Sequence, residues 1–299
     1  MNVTPGISGR SSGGPKRAIA ALGTALILGV SLTACSAGGG SVTPSPSPSA
    51  SSDGPLFAVV GDFGSGDANE KAVADLVAKE HPAWVVSAGD NVYSEGGYQK
   101  LVGDYYGQFI AAKRFLPATG NHDYTEGIEN YDAFFGTNAG NRFYSTRVND
   151  DVELFVLDSQ AALNLTASWD AQQHWLKAAT AASQAKYKIV VLHHPPYSSG
   201  SEHGSTTAFK WDYASMGVTA VIAGHDHIYE RLAVGGVTYV VSGTGGKNLY
   251  QCAETLPGEQ KCLDKSFGAL FVSDKDGVLT AKFVATDGSV LDSFALGTT

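Results

Sequence analysis

The chain has 299 residues with 20 basic and 29 acidic side chains, a formal charge of −9. That balance disfavours counterion-driven binding to nucleic acid. Only one long apolar run is present, near the N-terminus, so the residues beyond it read as one domain large enough for a substantial core.

In chain order, Lys16 and Arg17 precede an apolar stretch from Ala18 to Leu32. It is too short for a comfortable spanning helix and reads as the core of an export signal. It ends in Leu32-Thr33-Ala34-Cys35, which resembles the lipobox of bacterial lipoproteins, whose Cys is lipidated on sulfur and becomes the first mature residue. The alternative is an ordinary secretory signal with a chance Cys. Residues 36–55 supply Gly, Ser and alternating Pro without apolar periodicity, so they cannot bury a core. As a flexible coil they span roughly 25 Å. The expectation is a signal peptide over 1–34, a lipidated Cys35 and tether over 35–55, and a folded domain over 56–299. The protein is then exported, anchored at the outer face of a membrane, or secreted if Cys35 is not lipidated. Residues 1–34 hold three basic and no acidic side chains, which leaves the mature chain at −12.

The domain alternates strand and helix patterns. Phe57–Val60, Trp84–Ser87, Leu154–Leu157, Lys188–Leu192, Val218–Ala223 and Val237–Ser242 are short, apolar and rich in Val and Ile, as buried strands are. Helical patterns lie at 69–79, 170–183 and about 206–215, with Asp67 and Ser168 as caps. Ala269–Val272, Val278–Val284 and Val290–Phe294 are joined by Asp276-Gly277 and Asp287-Gly288 turns. They predict a second, more antiparallel sheet at the C-terminal end. With Cys35 explained separately, Cys252 and Cys262 pair naturally as a disulfide in an exported chain. A zinc site there would need further thiolates or a His pair, and 251–263 offers none.

Five motifs follow in fixed order: Asp62-Phe63-Gly64, Gly89-Asp90-Asn91-Val92-Tyr93, Gly120-Asn121-His122-Asp123, Val190-Val191-Leu192-His193 and Gly224-His225-Asp226-His227. Several follow apolar runs, which places carboxylate, phenolate, amide and imidazole groups at strand ends, where open α/β sheets place their chemistry. Each motif alone is an ordinary loop composition. Together they supply donors in the number two adjacent metal ions need. The series resembles the calcineurin-like metallophosphoesterase superfamily over about residues 56–246, and within it the purple acid phosphatases. Gly64 stands where most of the superfamily has the His of Asp-x-His, and Tyr93 supplies a replacement donor. A phenolate is a hard anionic ligand that suits a ferric ion. The run Gly224-His225-Asp226-His227-Ile228-Tyr229-Glu230-Arg231 is similar to the Gly-His-x-His-x-Tyr-Glu-Arg of plant-type members.

The resemblance implies a four-layer α-β-β-α sandwich of two mixed sheets flanked by helices, with a dinuclear metal site at the C-terminal ends of the strands. It implies Asp62, Asp90, Tyr93 and His227 on Fe(III), and Asp90, Asn121, His193 and His225 on a divalent ion (Zn, Mn or Fe), with Asp90 bridging. Neighbouring side chains on a strand face opposite ways, so His193 and His194 cannot both ligate easily. The family register falls on His193, leaving His194 a packing or hydrogen-bonding role. His122 is implied as proton donor to the leaving group, with Asp123 as its orienting acceptor. His203 resembles a second substrate-side His, against the plainer reading of a surface loop residue. Lys247 follows a Gly-rich turn that lacks P-loop spacing and is read as part of that turn. The implied activity is hydrolysis of phosphate monoesters by a metal-bound hydroxide. The alternatives are phosphodiester or nucleotide hydrolysis on the same centre, and a surface lipoprotein that binds without turnover.

Overall fold

The computed structural model describes residues 54–93 and 95–297. The export signal, Cys35 and nearly all of the tether lie outside the described residues. In chain order the elements are β1 (Phe57–Val60), α1 (Ala68–Glu80) and β2 (Trp84–Ser87), then a π-helical turn (Gln99–Gly103) running into α2 (Asp104–Ala111). There follow β3 (Phe115–Leu116), α3 (Asn121–Thr125), α4 (Ile128–Phe135), β4 (Tyr144–Arg147), β5 (Val152–Val156), α5 (Ser159–Asn164) and α6 (Thr166–Ala182). The chain continues through β6 (Tyr187–Val191), β7 (Ala220–Ala223), β8 (Tyr229–Val234), β9 (Val237–Ser242), β10 (Glu259–Leu263), β11 (Gly268–Lys275), β12 (Val278–Ala285) and β13 (Val290–Ala295).

The strands form two mixed sheets, ordered β13-β12-β11-β1-β2-β3 and β10-β8-β9-β7-β6-β5-β4. β1, β2 and β3 run parallel, as do β5, β6, β7 and β9. Three apolar layers explain why β1 is buried along its whole length without alternation. Phe57 and Val59 pack in the core between the sheets with Leu154, Ile189, Ile222 and Leu270. Ala58 and Val60 face the other way, against Val73, Leu76 and Val77 of α1. Val190, Val221 and Tyr239 on the far side of the second sheet pack with Leu176 of α6 and with Trp211. Each fully buried Val or Leu contributes about 1.5–3 kcal/mol. The result is the four-layer arrangement, helix on sheet on sheet on helix.

Asp67 caps α1 by accepting the main-chain N–H groups of Asn69 (2.9 Å) and Glu70 (3.1 Å). Three expectations need correction. Ser168 caps nothing, because α6 already begins at Thr166 behind Leu165. Residues 206–215 hold only a 3-10 turn (Thr207–Phe209). Phe209, Trp211 and Tyr213 are all buried at a spacing of two, which no α-helix presents on one face. The C-terminal strands do not build a separate sheet: β11 pairs antiparallel with β1 and completes the first sheet. Four strands escaped the apolar pattern. β4 and β10 are half-exposed edge strands of mostly polar residues, β3 has two residues, and β8 carries Glu230 and Arg231.

Candidate metal centre

The parallel strands end on one side of the molecule, and the motif residues leave from those ends: Asp62 after β1, Asp90 and Tyr93 after β2, Asn121 and His122 at the start of α3, His193 after β6, His225 and His227 between β7 and β8. Asp62, Asp90 and His225 adopt left-handed backbone angles (φ 58°, 52° and 73°), where the chain turns sharply as it leaves each strand. Non-glycine residues in that region store strain and concentrate at functional sites.

Two clusters of candidate ligands result. In the first, the Tyr93 hydroxyl lies 3.0 Å from Asp62 Oδ1, 2.9 Å from Asp90 Oδ2 and 3.1 Å from His227 Nε2. In the second, His193 Nε2 lies 3.0 Å from Asn121 Oδ1, 3.2 Å from Asp90 Oδ2 and 3.2 Å from His225 Nδ1. Asp90 Oδ2 belongs to both, and Asp90 Oδ1 accepts the main-chain N–H of His122 at 2.8 Å. Asp62, Asp90, His193 and His227 are buried.

The donor set suits cations. His227 Nδ1 donates to the Asn248 carbonyl (2.7 Å) and His193 Nδ1 to the Ala88 carbonyl (3.0 Å), which turns the Nε2 lone pairs of the neutral rings into the clusters. In the first cluster a single phenol proton faces three acceptors. In the second, the lone pair of neutral His193 faces an amide oxygen, a carboxylate oxygen and a second imidazole nitrogen. A cation in each cluster would replace these repulsions with bonds.

Electrostatics agree. Burial pushes Asp62 well above the usual carboxylate range, although the nearby His193 draws it back. Burial alone would also raise Asp90, but the charge and hydrogen bond of His193 hold it at about 2. Against its own burial, His193 is raised to about 9 by Asp90 and then Asp62. Burial lowers His227 to about 4 and drives His225 far down, helped by the surrounding imidazoles. Tyr93 is pushed up by burial and by the two carboxylates. A proton on His193 beside the Asp90 carboxylate stands where a cation would otherwise lie.

The exchange of Gly64 for a histidine has a steric basis. A Cβ at Gly64 would collide with the main chain of Asn91 and Val92, and the Tyr93 N–H donates to the Gly64 carbonyl at 2.8 Å. The segment that brings Tyr93 in occupies the room a side chain at 64 would need.

The remaining predicted residues fall around these clusters. The half-buried His122 ring packs on Tyr93, centroids 4.3 Å apart. His203 is exposed and stacks on His225 at 3.9 Å and 20°. His194 is buried, bonded to Ser159 Oγ at 2.8 Å, lowered to about 3 by burial, and packed behind the His225 ring, centroids 4.4 Å apart. Asp123 does not orient His122: its carboxylate accepts from Gly120 N (2.8 Å), Asn91 Nδ2 (2.9 Å) and the Tyr98 hydroxyl (2.8 Å), tying the two ligand loops together. Cys252 and Cys262 are bonded. Sequence reasoning missed Asn248, Tyr250 and Asp226 as supports. Tyr250 stacks on His227 at 4.0 Å and 13°. The 248–250 segment has no local signal, whereas Asp226 lay inside a motif as its variable position.

A family model for calcineurin-like phosphoesterases matches residues 55–229. The chain is 28% identical over 237 residues to mouse (Mus musculus) tartrate-resistant acid phosphatase type 5, covering 63% of this chain and 72% of that protein. It is 26% identical over 283 residues to purple acid phosphatase 17 of Arabidopsis thaliana, covering 81% and 82%. Among solved structures, GAP50, the anchor in the inner membrane complex of Plasmodium, superposes with a TM-score of 0.67 at 18% identity over 81% of this chain and 88% of that one, a likeness of fold alone. A fold shared with an anchoring protein leaves activity to be argued from the site and the family. The chain belongs to the calcineurin-like phosphoesterase family, as a metal-dependent hydrolase of phosphate esters with a two-metal site.

Proposed function

We propose that this chain is an exported phosphomonoesterase of the purple acid phosphatase type, holding Fe(III) with Asp62, Asp90, Tyr93 and His227, and a divalent ion with Asp90, Asn121, His193 and His225. The observation that carries this reading is the Tyr93 hydroxyl, within 3.1 Å of two carboxylates and an imidazole. A phenolate at that point favours a hard trivalent ion. Bound there, the paired ions supply Lewis acidity toward the phosphoryl oxygens and an activated water.

The chain's own residues do the rest. Asp90 fixes the spacing of the two ligand clusters by sharing Oδ2. His122, held by its main-chain bond to Asp90 and packed on Tyr93, delivers a proton to the leaving-group oxygen as the ester bond breaks. His203, on the solvent side of His225, orients a phosphoryl oxygen. A trivalent ion held by Asp62, Asp90, Tyr93 and His227 would acidify water more than zinc would, so turnover is expected to extend to mildly acidic pH. Residues 1–34 direct export, and Cys35 with the 36–55 tether anchors the domain outside a membrane.

The test is kcat/KM of the metal-replete protein on matched aryl phosphate mono- and diesters at mildly acidic pH. A monoester preference supports the reading. A diester preference replaces it with phosphodiester or nucleotide hydrolysis on the same residues.

A further inference from the structure

The turn that follows β9 brings a cation to the edge of the metal centre. The Gly245 N–H donates to the Gly61 carbonyl at 2.9 Å and the Lys247 N–H to the Asp62 carbonyl at 3.0 Å, so the turn lies directly on the Asp62 loop. Gly246 makes this approach possible: its φ is 156°, and a Cβ there would come within 2.7 Å of the Glu70 Cα. The Gly-rich turn is thus a delivery device for the residue after it. Lys247 is half-buried, and its Nζ lies 4.9 Å from the centroid of the Tyr93 ring. His122 packs on the same ring at 4.3 Å. Among the described residues the ammonium has no carboxylate within ion-pair distance, although the chain is acidic and Asp62 and Asp90 both bond the Tyr93 hydroxyl.

A monoester brings two negative charges to this site near neutral pH and a diester brings one. The second charge sits on a terminal oxygen that the diester replaces with an uncharged substituent. A lysine without an ionic partner, carried on a flexible stem at the Tyr93 wall, can follow that oxygen as a point charge. We propose that Lys247 is a specificity-determining residue: its ammonium binds a terminal oxygen of a dianionic phosphoryl group and favours monoesters over diesters. This rests on the phosphomonoesterase reading of the same site.

The test compares the metal-replete wild type with Lys247→Met and Lys247→Arg. In Lys247→Met the ratio of monoester to diester kcat/KM should fall about tenfold, and the calorimetric affinity for inorganic phosphate should fall similarly, while dimethyl phosphate binds as before. Lys247→Arg should keep most of both. Unchanged phosphate affinity and an unchanged ratio in Lys247→Met, with metal content intact, would overturn the assignment. A wild type that itself prefers diesters would overturn the phosphomonoesterase reading instead. The two failures are therefore distinguishable.

Discussion

Asp226 stands between two candidate ligands in sequence, yet its carboxylate serves the loop that carries His203: it accepts the His203 main-chain N–H at 3.2 Å. The same carboxylate accepts the Gly204 N–H at 2.9 Å and the Ser198 hydroxyl at 2.6 Å. The buried acid thus fixes the height at which the His203 ring meets His225. We expect Asp226→Ala to cost about 1–3 kcal/mol, because it strands the buried Ser198 hydroxyl and two part-buried main-chain donors. It should lower kcat while both metals stay bound. Thermal denaturation, metal analysis and kcat together check this. A variant that loses metal before it loses turnover would show that Asp226 supports the ligands rather than the loop.

Tyr93 gives the most direct spectroscopic test of the centre. In the iron-loaded protein the phenolate should produce a visible charge-transfer band, and Tyr93→Phe should abolish it while weakening the hold on one ion of the two. The first cluster loses its phenolate but keeps the Asp62 and Asp90 carboxylates, and the second contains no atom of Tyr93. A band that survives the substitution would remove Tyr93 from the ligand set.

His122→Ala separates proton delivery from metal binding. Its main-chain bond to Asp90 survives the substitution, so both ions should remain. Turnover of esters with poor leaving groups should fall by about 10²–10⁴, the usual worth of a general acid. Activated aryl esters, which leave without protonation, should lose far less. Equal losses on both substrate classes would point to a structural role for His122.

Much of this was legible from the residues because buried parallel strands announce themselves. β1, β2 and β9 fall where continuous apolar runs placed them, and motif side chains follow from the ends of β1 and β2. Elements that lacked this signal were those stabilised by tertiary contact. α3 is five residues long and has meaning only as the platform for Asn121 and His122. β8 pairs with β9 and β10, while its Arg231 and Tyr229 bond Asp292 of β13 across the structure, which no local pattern encodes. The supports of the site were hidden for the same reason. The Asn248 carbonyl that aims His227 lies 21 residues away and carries no side-chain signature.

Glu70 makes stability depend on pH in a direction opposite to that of salt-bridged acids. Burial raises its carboxyl to about 7, partly offset by the Gly66 N–H, which donates at 2.6 Å. A carboxyl with a raised folded pKa binds its proton more tightly in the folded state. Its contribution is therefore present below the ordinary glutamate pKa and is lost as pH rises through about 7. Glu70→Gln should flatten the fall in unfolding free energy between pH 5 and pH 8. Parallel denaturation curves for the two proteins across that window would show that Glu70 ionises in the fold without cost.

The Cys252–Cys262 disulfide clips the end of a strap, residues 248–262, that braces both sides of the metal centre. Within the strap, Asn248 accepts from His227 Nδ1 and Tyr250 stacks on the same ring. Gly200 bridges to Cys252, the Ser201 N–H donates to Gln251 at 2.9 Å and the Ala253 N–H to Ser199 at 2.8 Å, which steadies the loop that carries His203. The bond joins residues 10 apart, and the chain-entropy model gives it about 2–3 kcal/mol. We expect the Cys252→Ser/Cys262→Ser variant to lose about 2–3 kcal/mol of unfolding free energy. We also expect it to release the ion held by Tyr93 and His227 sooner than the one held by His193 and His225, because the strap touches His227 directly and reaches His225 only through the His203 loop. Chelator-driven metal loss followed both at the Tyr93 absorption band and as total metal content would report that order. Simultaneous release from both clusters would mean that the strap stabilises the domain without positioning His227.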